Sequence, residues 1–451
     1  MSGETTRRFF VGAATAASAM RVMGANERVN VAIVGLGGRG GNHLSVYSRL
    51  AESRVVGLCD VNQAARERAQ AVLVKAGVDK AKEFRDMREA FADPSIEAVS
   101  IATPNHWHAL AAIWAMTAGK DVYGEKPASY NIHESQKLIE TQRATGKMLQ
   151  IGSQHRSNPF KIRAMAAVQG GLIGKIYQAK GLCYKRRQSI GKKPDTPTPP
   201  GLDWDMFLGP APLRPFNELR FRYNWHWFWD TGNGDMGNQG VHELGLARWG
   251  MGDPMWPKTA FAHGGKFAYD DDQETPNTLN ASFDFGGREL VFETRGLITG
   301  GERFVPAPRR RPGATPAPTA TAPKSAEPLN IMIGNLYYGT EGWAAMSGQG
   351  FQAFKGDSNE LVMEERPERG ADGDDATSLH MKNFLAAVKS RDQKSLHDGI
   401  DIAAMSASMV HLANISYRVG RKLTLQSGPS FFNDAEAMKL LTRNYRKPYV
   451  V

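Results

Sequence analysis

The sequence predicts an α/β protein in two parts, a parallel α/β domain followed by an α+β domain with an open, mainly antiparallel sheet. Three observations predict it. Residues 29–60 run from an apolar strand through a glycine-rich turn and a helical pattern to a second strand. Short apolar strands then alternate with helical patterns up to about residue 155, which is typical of a parallel sheet. Beyond it lie alternating segments, two of them joined by Gly286-Gly287, a hairpin signal.

The glycine-rich turn has the spacing G-x-G-x-x-G between a strand and a helix, which is the fingerprint of a Rossmann domain. In such a turn the first glycine permits the tight bend and the second lets the backbone approach a pyrophosphate. The third lets the helix pack on the strand. The helix N-terminus then offers unpaired N–H groups to the phosphates. The predicted phosphate contacts are Gly35, Gly37, Gly38, Arg39 and Gly40.

Asp60 ends the second strand, twenty residues after Gly40. A carboxylate at this place accepts hydrogen bonds from the adenosine ribose and repels a 2′-phosphate. The predicted cofactor is therefore NAD rather than NADP. A glycine-rich turn without a ligand is the alternative.

The βα rhythm continues beyond Asp60. Helices are predicted at 62–77, 84–91, 109–118 and up to about 145, with strands at 98–102, 121–124 and 148–151. Ligands bind beyond the carboxyl ends of such strands, so the strand tips should converge on one crevice. The remaining predicted cofactor contacts at these tips are Thr103, Pro104, Asn105, Trp107, His108, Glu125, Lys126 and Gln154.

The domain boundaries follow from these patterns. A leader is predicted at 1–27, the NAD-binding domain at 28–155, the substrate and oligomerisation domain at 156–425, and a C-terminal tail at 426–451. The second domain should contain helices at 160–170, 378–388 and 403–419 and strands at 175–183, 279–285 and 289–294. Its 305–328 stretch is rich in proline and alanine, which predicts a disordered or extended insert.

The N-terminus contains Thr6-Arg7-Arg8-Phe9-Phe10 before a short alanine-rich apolar segment. This twin-arginine pattern predicts export to the periplasm as a folded protein, although Arg21 shortens the apolar run. An uncleaved amphipathic segment on a cytoplasmic protein is the alternative.

Composition narrows the classes of partner. The net charge is +10, but the basic clusters stand beside no nucleic-acid motif and are interpreted as solvated faces, with an anionic substrate as the alternative. No segment approaches the roughly 20 apolar residues needed to span a bilayer. Cys59 and Cys183 form no metal-binding spacing, and His106 with His108 lack a third ligand, so no metal is expected.

Three blocks resemble the Gfo/Idh/MocA oxidoreductases, typified by glucose–fructose oxidoreductase and inositol dehydrogenase. They are the glycine turn with Asp60, the tripeptide Glu125-Lys126-Pro127, and the run from Gly232 to His242. The resemblance covers roughly residues 28–425. It implies a Rossmann domain joined to an α/β domain with an open sheet, a bound nicotinamide cofactor and sugar-like substrates. The antiparallel sheet of the second domain is a common dimerisation surface if one face is apolar, so a homodimer or homotetramer is expected.

The resemblance also implies catalytic roles. Lys126 matches the lysine that lies beside nicotinamide and substrate, and His242 matches the histidine that acts as base. The family usually has aspartate four residues before this histidine, where this chain has Asn238. Asp235, one turn earlier, could supply the carboxylate. A histidine base and a lysine that steadies alkoxide charge also suit alcohol oxidation on chemical grounds.

Aromatic side chains crowd the stretch before this block. Sugar C–H faces stack on aromatic rings, whereas the alternative is that these rings belong to the core. The predicted substrate contacts are His155, Arg156, Tyr223, Trp225, His226, Trp227, Asn238 and His242.

The sequence therefore predicts an NAD-dependent oxidoreductase that takes hydride from a sugar or glycoside ring carbon such as C3. A 3-keto group acidifies the neighbouring C2–H, so the alternative is an NAD-dependent glycoside hydrolase with transient oxidation and elimination. Asn233-Gly234-Asp235 resembles a run in that branch of the family. A non-catalytic sensor that binds NAD and a sugar is the third alternative.

Overall fold

The structure is a computed structural model that describes residues 28–303, 328–368, 375–426, 428 and 434–451. The predicted leader and nearly all of the proline-rich insert lie outside these residues. The structure confirms the predicted fold class, with a parallel sheet first and a mainly antiparallel sheet second.

The first sheet has six parallel strands in the order β3-β2-β1-β4-β5-β6. The chain crosses from one half of this sheet to the other between β1 and β4, and ligands of doubly wound sheets bind at such a switch point. The strands are β1 (Val29–Val34), β2 (Ser53–Cys59), β3 (Lys82–Phe84), β4 (Ala98–Ile101), β5 (Asp121–Gly124) and β6 (Leu149–Ile151).

Five helices connect these strands. Three of them begin at a side chain that accepts a backbone N–H of the first turn, namely Asn62, Asp86 and Asn131. The helices are α1 (Gly38–Tyr47), α2 (Gln63–Lys75), α3 (Met87–Ala92), α4 (Asn105–Thr117) and α5 (Ile132–Thr145).

The second sheet has nine strands in the order β16-β15-β14-β13-β7-β10-β9-β8-β17, in which only β7 and β10 pair in parallel. A separate ribbon pairs β11 with β12. The strands are β7 (Ile176–Cys183), β8 (Thr259–Gly265), β9 (Thr278–Asp284), β10 (Glu289–Arg295), β11 (Glu302–Arg303), β12 (Asn330–Ile331), β13 (Ile333–Gly339), β14 (Gly342–Ser347), β15 (Gly350–Lys355), β16 (Glu360–Glu365) and β17 (Leu423–Thr424).

Buried and partly exposed residues alternate along β9 and β10, as expected for strands covered on one face only. The buried residues of these strands join one hydrophobic core with residues of the helices behind the sheet. The helices of this half and of the C-terminus are α6 (Pro159–Gln169), α7 (Trp204–Leu208), α8 (Val241–Gly250), α9 (Ala376–Ser390), α10 (Ile400–Val419) and α11 (Ala435–Lys439).

Two predicted helices begin elsewhere than expected. The prediction of a helix over 84–91 was wrong at its start, since Phe84 pairs with Cys59 in the three-residue edge strand β3 and Asp86 caps α3. The helix predicted at 109–118 begins at Asn105, because Pro104 holds the extended conformation that precedes a helix.

The C-terminal segments pack on the first domain. Helix α10 contacts α5, and Tyr449 packs its ring 5.3 Å from that of Trp107. In the part of the chain that the structure describes, no helix is long and apolar enough to cross a membrane.

Candidate active site

The glycine turn at the end of β1 leaves open space beside the start of α1. Gly35 has φ +85°, in the left-handed region that favours glycine. A Cβ on Gly37 or Gly38 would meet nothing within 4 Å, whereas one on Gly40 would lie 1.8 Å from the Gly35 carbonyl oxygen. No side chain caps α1, so its first N–H groups remain available to an anion. These features fit the pyrophosphate of NAD.

The Asp60 carboxylate is fixed at the edge of this turn. Its Oδ2 accepts the Leu36 N–H at 2.6 Å and its Oδ1 accepts the Asn62 N–H at 2.8 Å. Burial raises the pKa of Asp60, while both backbone donors act to lower it. Each oxygen has a second lone pair, so the carboxylate can still accept a ribose hydroxyl.

Two polar atoms at the strand tips are buried and have no hydrogen-bond partner among the described residues. They are Thr103 Oγ1, after β4, and Gln154 Oε1, after β6. Buried polar groups are nearly always paired, so these atoms are suited to a ligand that brings its own donors. Pro104 precedes α4, and the Asn105 amide donates to Asn233 Oδ1 at 3.0 Å, which ties this tip to the second domain.

Trp107, a predicted cofactor contact, packs in the core and does not line the crevice. Its indole is 3% exposed, and its N–H donates to the Phe207 carbonyl. It packs against Tyr449 and Trp114. His108 is also buried, with its ring nitrogens 2.7 Å from the Pro127 carbonyl and 2.8 Å from the Thr103 carbonyl. His108 therefore fixes the two strand tips relative to each other.

His106 is also buried and has a structural role. Its ring nitrogens face the Phe207 and Thr231 carbonyls. In the described ranges no group of three or more His, Cys, Asp or Glu side chains is placed to hold a metal ion.

Glu125 forms a buried ionic network beside the turn. Its Oε1 accepts from Arg39 Nε at 2.6 Å and lies 3.0 Å from His43 Nε2. Burial acts to raise the pKa of Glu125, but Arg39 and His43 hold it well below its ordinary value. The carboxylate therefore anchors Arg39, at the start of α1, and supports the neighbouring Lys126.

Lys126 reaches from the end of β5 to the second domain. Its Nζ donates to the Asn238 carbonyl oxygen at 2.7 Å. Burial lowers the pKa of Lys126, and the nearby Arg39 and Arg187 add to the effect. Lys126 is only partly buried, so its ammonium group remains accessible to a ligand in the crevice.

The block that contains Asn238 folds as a single π-helical turn, Met236–Gly240, which leads directly into α8. Such turns are rare and occur frequently at functional sites. His242 lies in the first turn of α8, and its Nδ1 is buried with no partner in the described chain. Burial, and then the nearby Lys126, lowers the pKa of His242 well below its ordinary value. The imidazole is thus neutral near pH 7 and able to accept a proton.

Asp235 is not a free carboxylate. Arg187 Nη2 donates to its Oδ1 at 2.6 Å and Arg187 Nε donates to its Oδ2 at 3.0 Å. The Asp235 side chain is 3% exposed. Asn238 lies within 3.4 Å of the same carboxylate and also donates to the Tyr223 hydroxyl at 2.8 Å. The structure thus makes Asp235 the anchor of Arg187 rather than a proton acceptor toward the crevice.

Sequence reasoning missed Arg187. It belongs to the basic cluster at 185–187, which the sequence pattern predicts to be a solvated face. In the structure its guanidinium lies 5.1 Å from the centre of the Trp227 ring and donates to the Tyr223 hydroxyl at 3.0 Å. Its position after β7, just past the end of a strand, was the available signal.

The aromatic stretch is divided between the core and the surface. Trp227 and His226 are buried, Trp225 is partly buried and stacks on His226, and Tyr223 is exposed. Tyr223 is the member whose hydroxyl meets both Arg187 and Asn238. His226 is held by the Tyr223 carbonyl at 2.6 Å.

His155 and Arg156 point to different places. The ring of His155 lies 5.0 Å from that of His242 at an interplanar angle of 77°, so the structure brings these two together. Arg156 is buried elsewhere, where it pairs with Asp253 at 2.8 Å and Asp398 at 3.4 Å. Arg156 therefore supports the fold instead of the crevice.

Two family models match this chain. One, described as an oxidoreductase family with an NAD-binding Rossmann fold, matches residues 29–153. The other, described as the C-terminal alpha/beta domain of the oxidoreductase family, matches residues 163–253. Over these two ranges the chain matches the Gfo/Idh/MocA oxidoreductase family. Its first domain is accordingly an NAD-binding domain, which confirms the predicted cofactor.

Similar proteins of this family include inositol 2-dehydrogenase of Salmonella typhimurium, 32% identical over 154 residues, or 34% of this chain and 45% of that protein. A glycosyl hydrolase family 109 protein of Porphyromonas gingivalis is 30% identical over 159 residues, or 34% of each chain. The chain thus aligns with less than half the length of these relatives.

The fold extends further than the sequence similarity. The WlbA dehydrogenase of Bordetella pertussis, solved in complex with NADH and UDP-GlcNAcA, has a TM-score of 0.61 and 17% identity. The match covers 89% of this chain and all of that one. At 17% identity, this structural similarity shows that the two proteins share a fold across both domains.

Proposed function

We propose that this Gfo/Idh/MocA protein is an NAD-dependent oxidoreductase that removes hydride from a ring carbon, such as C3, of a sugar or glycoside. One observation carries the proposal. Lys126, at a strand tip of the NAD-binding domain, bonds to the carbonyl of Asn238 in the π-helical turn that leads to His242. The chain therefore brings together, beside the glycine turn, two groups that alcohol oxidation requires: Lys126 from the first domain and His242 from the second.

Each group has a role that its environment supports. The glycine turn and Asp60 would hold NAD, which would supply the hydride acceptor. His242 is kept neutral by burial and by Lys126, so it can take the hydroxyl proton. The Lys126 ammonium can donate to the same oxygen and steady its developing negative charge. Tyr223, Asn238 and Arg187 offer hydrogen-bonding groups for other sugar hydroxyls.

A second candidate function is glycoside hydrolysis through transient oxidation. It requires a group that removes the proton from the carbon next to the new ketone, in addition to the base for the hydroxyl. The perpendicular pair of His155 and His242 supplies two imidazoles side by side, which favours this alternative. Similarity to a glycosyl hydrolase family 109 protein supports it too.

The test is turnover by single variants with free sugars, inositols and nitrophenyl glycosides as substrates. We expect Lys126→Ala and His242→Ala each to lower kcat by at least about 100-fold, because each removes a proton-handling group. NAD should still be recovered from the denatured variants, since neither side chain forms the glycine turn.

Lys137→Ala is the matched control, because Lys137 is a partly exposed helix lysine that pairs with Glu140. Near-normal turnover in Lys126→Ala or His242→Ala would refute the assigned roles. Loss of NAD together with activity would reassign the variant residue to cofactor binding.

We further propose that the twin-arginine segment directs the protein to the periplasm and that subunits associate through the open face of the second sheet. The basis for export is the Arg7-Arg8 motif, which lies outside the described residues. The basis for association is the one-sided burial of β8–β10, on whose partly exposed face Phe261 lies. Fractionation of cells and light scattering of the purified protein test these two proposals separately.

A further inference from the structure

A buried lysine, Lys161, contacts His155, one of the two histidines in the crevice. Lys161 lies in the first turn of α6 and is 4% exposed. Its Nζ lies 3.3 Å from His155 Nδ1, and no carboxylate of the described chain comes within ion-pair distance of it. Burying an ammonium group is costly unless its donors are used. The lysine therefore points to a function for the contact with His155.

We propose that Lys161 is a positioning residue that holds the ring proton of His155 on Nε2, so that His155 donates a hydrogen bond to the substrate. The proposal rests on the proposed function and names a further residue of the same site. An ammonium group has three donors and no acceptor, so the Nδ1 atom that it approaches must accept. A neutral imidazole that accepts at Nδ1 carries its proton at Nε2.

The surroundings of His155 agree with a neutral, singly protonated ring. Burial, and then Lys161 and His242, lower the pKa of His155 well below its ordinary value. The ring is partly exposed, and among the described residues no protein group hydrogen-bonds to its Nε2. The N–H at this atom is thus available to a ligand in the crevice.

Glu243 lies near Lys161 and attracts its positive charge. It is 2% exposed and follows His242 directly, and its carboxylate accepts from Gln239 Nε2 at 3.2 Å. Burial lowers the pKa of Lys161 and raises that of Glu243, and the attraction between the two groups opposes both shifts. This attraction favours the charged pair, in which Lys161 is an ammonium group and acts as a donor toward His155.

The arrangement gives the two histidines different roles. Their rings lie at right angles, 5.0 Å apart, so both can face one substrate. With His155 fixed as a donor, His242 remains the acceptor of the hydroxyl proton. Lys161 thus gives the two histidines different roles: His155 becomes a hydrogen-bond donor, and His242 stays the general base.

The direct test is the ¹⁵N NMR spectrum of the imidazole nitrogens in histidine-labelled full-length protein near pH 7, with His155→Gln to assign the resonances. We expect His155 to show a protonated Nε2 and an accepting Nδ1. In Lys161→Met the accepting Nδ1 loses its donor, so the Nδ1–H form should become populated. A protonated Nδ1 in the unaltered protein would overturn the proposal without any Lys161 variant.

Kinetics provide the second readout. Lys161→Met should lower kcat by about 10- to 100-fold with KM changed less than about threefold, as for other residues that orient a reacting group. Lys161→Arg keeps a cationic donor and should restore most of kcat. Arg163→Met is the matched control, because Arg163 lies on the same helix but pairs with Glu365 at the surface. It should change neither the spectrum nor kcat.

The outcomes separate this proposal from the proposed function. If no sugar is oxidised, the spectrum still reports the His155 tautomer and decides the role of Lys161. If sugars are oxidised but Lys161→Met leaves both the tautomer and kcat unchanged, Lys161 is only structural and the proposal fails.

Discussion

At the scale of single residues, the site depends on two basic groups, His242 and Lys126, whose pKa values are lowered by burial and then by neighbouring positive charges. Lys126 contributes to the lowered pKa of His242, and Arg39 and Arg187 contribute to that of Lys126. The imidazole thus remains an acceptor under conditions in which an exposed histidine would be protonated.

This predicts the acid side of the pH–rate profile. A lowered pKa means that His242 stays neutral as pH falls through 6.5, and protonation removes the base only at lower pH. We expect kcat to be level from pH 7 to below pH 6 and to decline only beneath that. Steady-state kcat measured between pH 4 and 8 checks this. An acid limb centred at or above pH 6.5 would contradict the burial of the base.

Residues that act across long sequence separations were the hardest to predict. Asp235 was a candidate carboxylate from its place in the glycine-rich block, but the structure pairs it with Arg187, 48 residues away. Lys126 and Asn238 are 112 residues apart. Local patterns contain no information on such pairs, whereas the glycine turn and Asp60 lie in one continuous βαβ unit and could be predicted.

At the scale of elements, the packing of α1 on β1 depends on a glycine that has no room for a side chain. The sequence assigns this role to Gly40, and in the structure a Cβ on Gly40 would collide with the Gly35 carbonyl and lie 3.7 Å from the Ala102 Cβ. Gly41, the next residue, has open space around it.

The neighbouring glycines therefore form a matched pair of tests. Gly40→Ala should abolish NAD binding or prevent folding, because its Cβ would lie 1.8 Å from a backbone oxygen. Gly41→Ala should keep NAD binding and leave stability unchanged or raise it by up to about 1 kcal/mol, since alanine favours helix over glycine. Calorimetric titration with NAD and thermal unfolding measure both. Equal behaviour of the two variants would show that the helix does not pack as described.

The helices and strands of the first domain were largely predictable because their periodicity is local, whereas only three of the nine strands of the second sheet were predicted. The two errors have local causes as well. The polar run after Thr103 has no apolar period, yet it forms the first turn of α4 behind Pro104. Strand β3 is three residues long with two exposed members, too short to produce a pattern. The π-helical turn before His242 had no sequence signal beyond its glycines.

At the scale of the whole molecule, the C-terminal residues contact the NAD-binding domain. The ring of Tyr449 lies among Trp107, Trp114 and the Arg446 guanidinium, and it is 6% exposed. The sequence indicates only a tail here, because the aromatic partners of Tyr449, Trp107 and Trp114, lie more than 300 residues earlier in the chain.

Tyr449→Ala should therefore lower the free energy of unfolding by about 2 to 4 kcal/mol, through loss of the packed ring and the cavity that it leaves. Val450→Ala is the control, because Val450 is half exposed and its truncation should cost less than about 0.5 kcal/mol. Urea denaturation of both variants provides the comparison. A loss for Tyr449→Ala no larger than that for Val450→Ala would mean that the C-terminus does not support the first domain.

The central claim is net oxidation of a sugar by NAD. Its most direct test follows nicotinamide reduction and nitrophenol release in the same cuvette, with purified protein, added NAD and a panel of nitrophenyl glycosides. We expect nicotinamide reduction without nitrophenol release for at least one sugar. Release without net reduction would contradict it in favour of the hydrolase. No signal in either channel, with NAD bound, would support the sensor if free sugars and inositols were also inert.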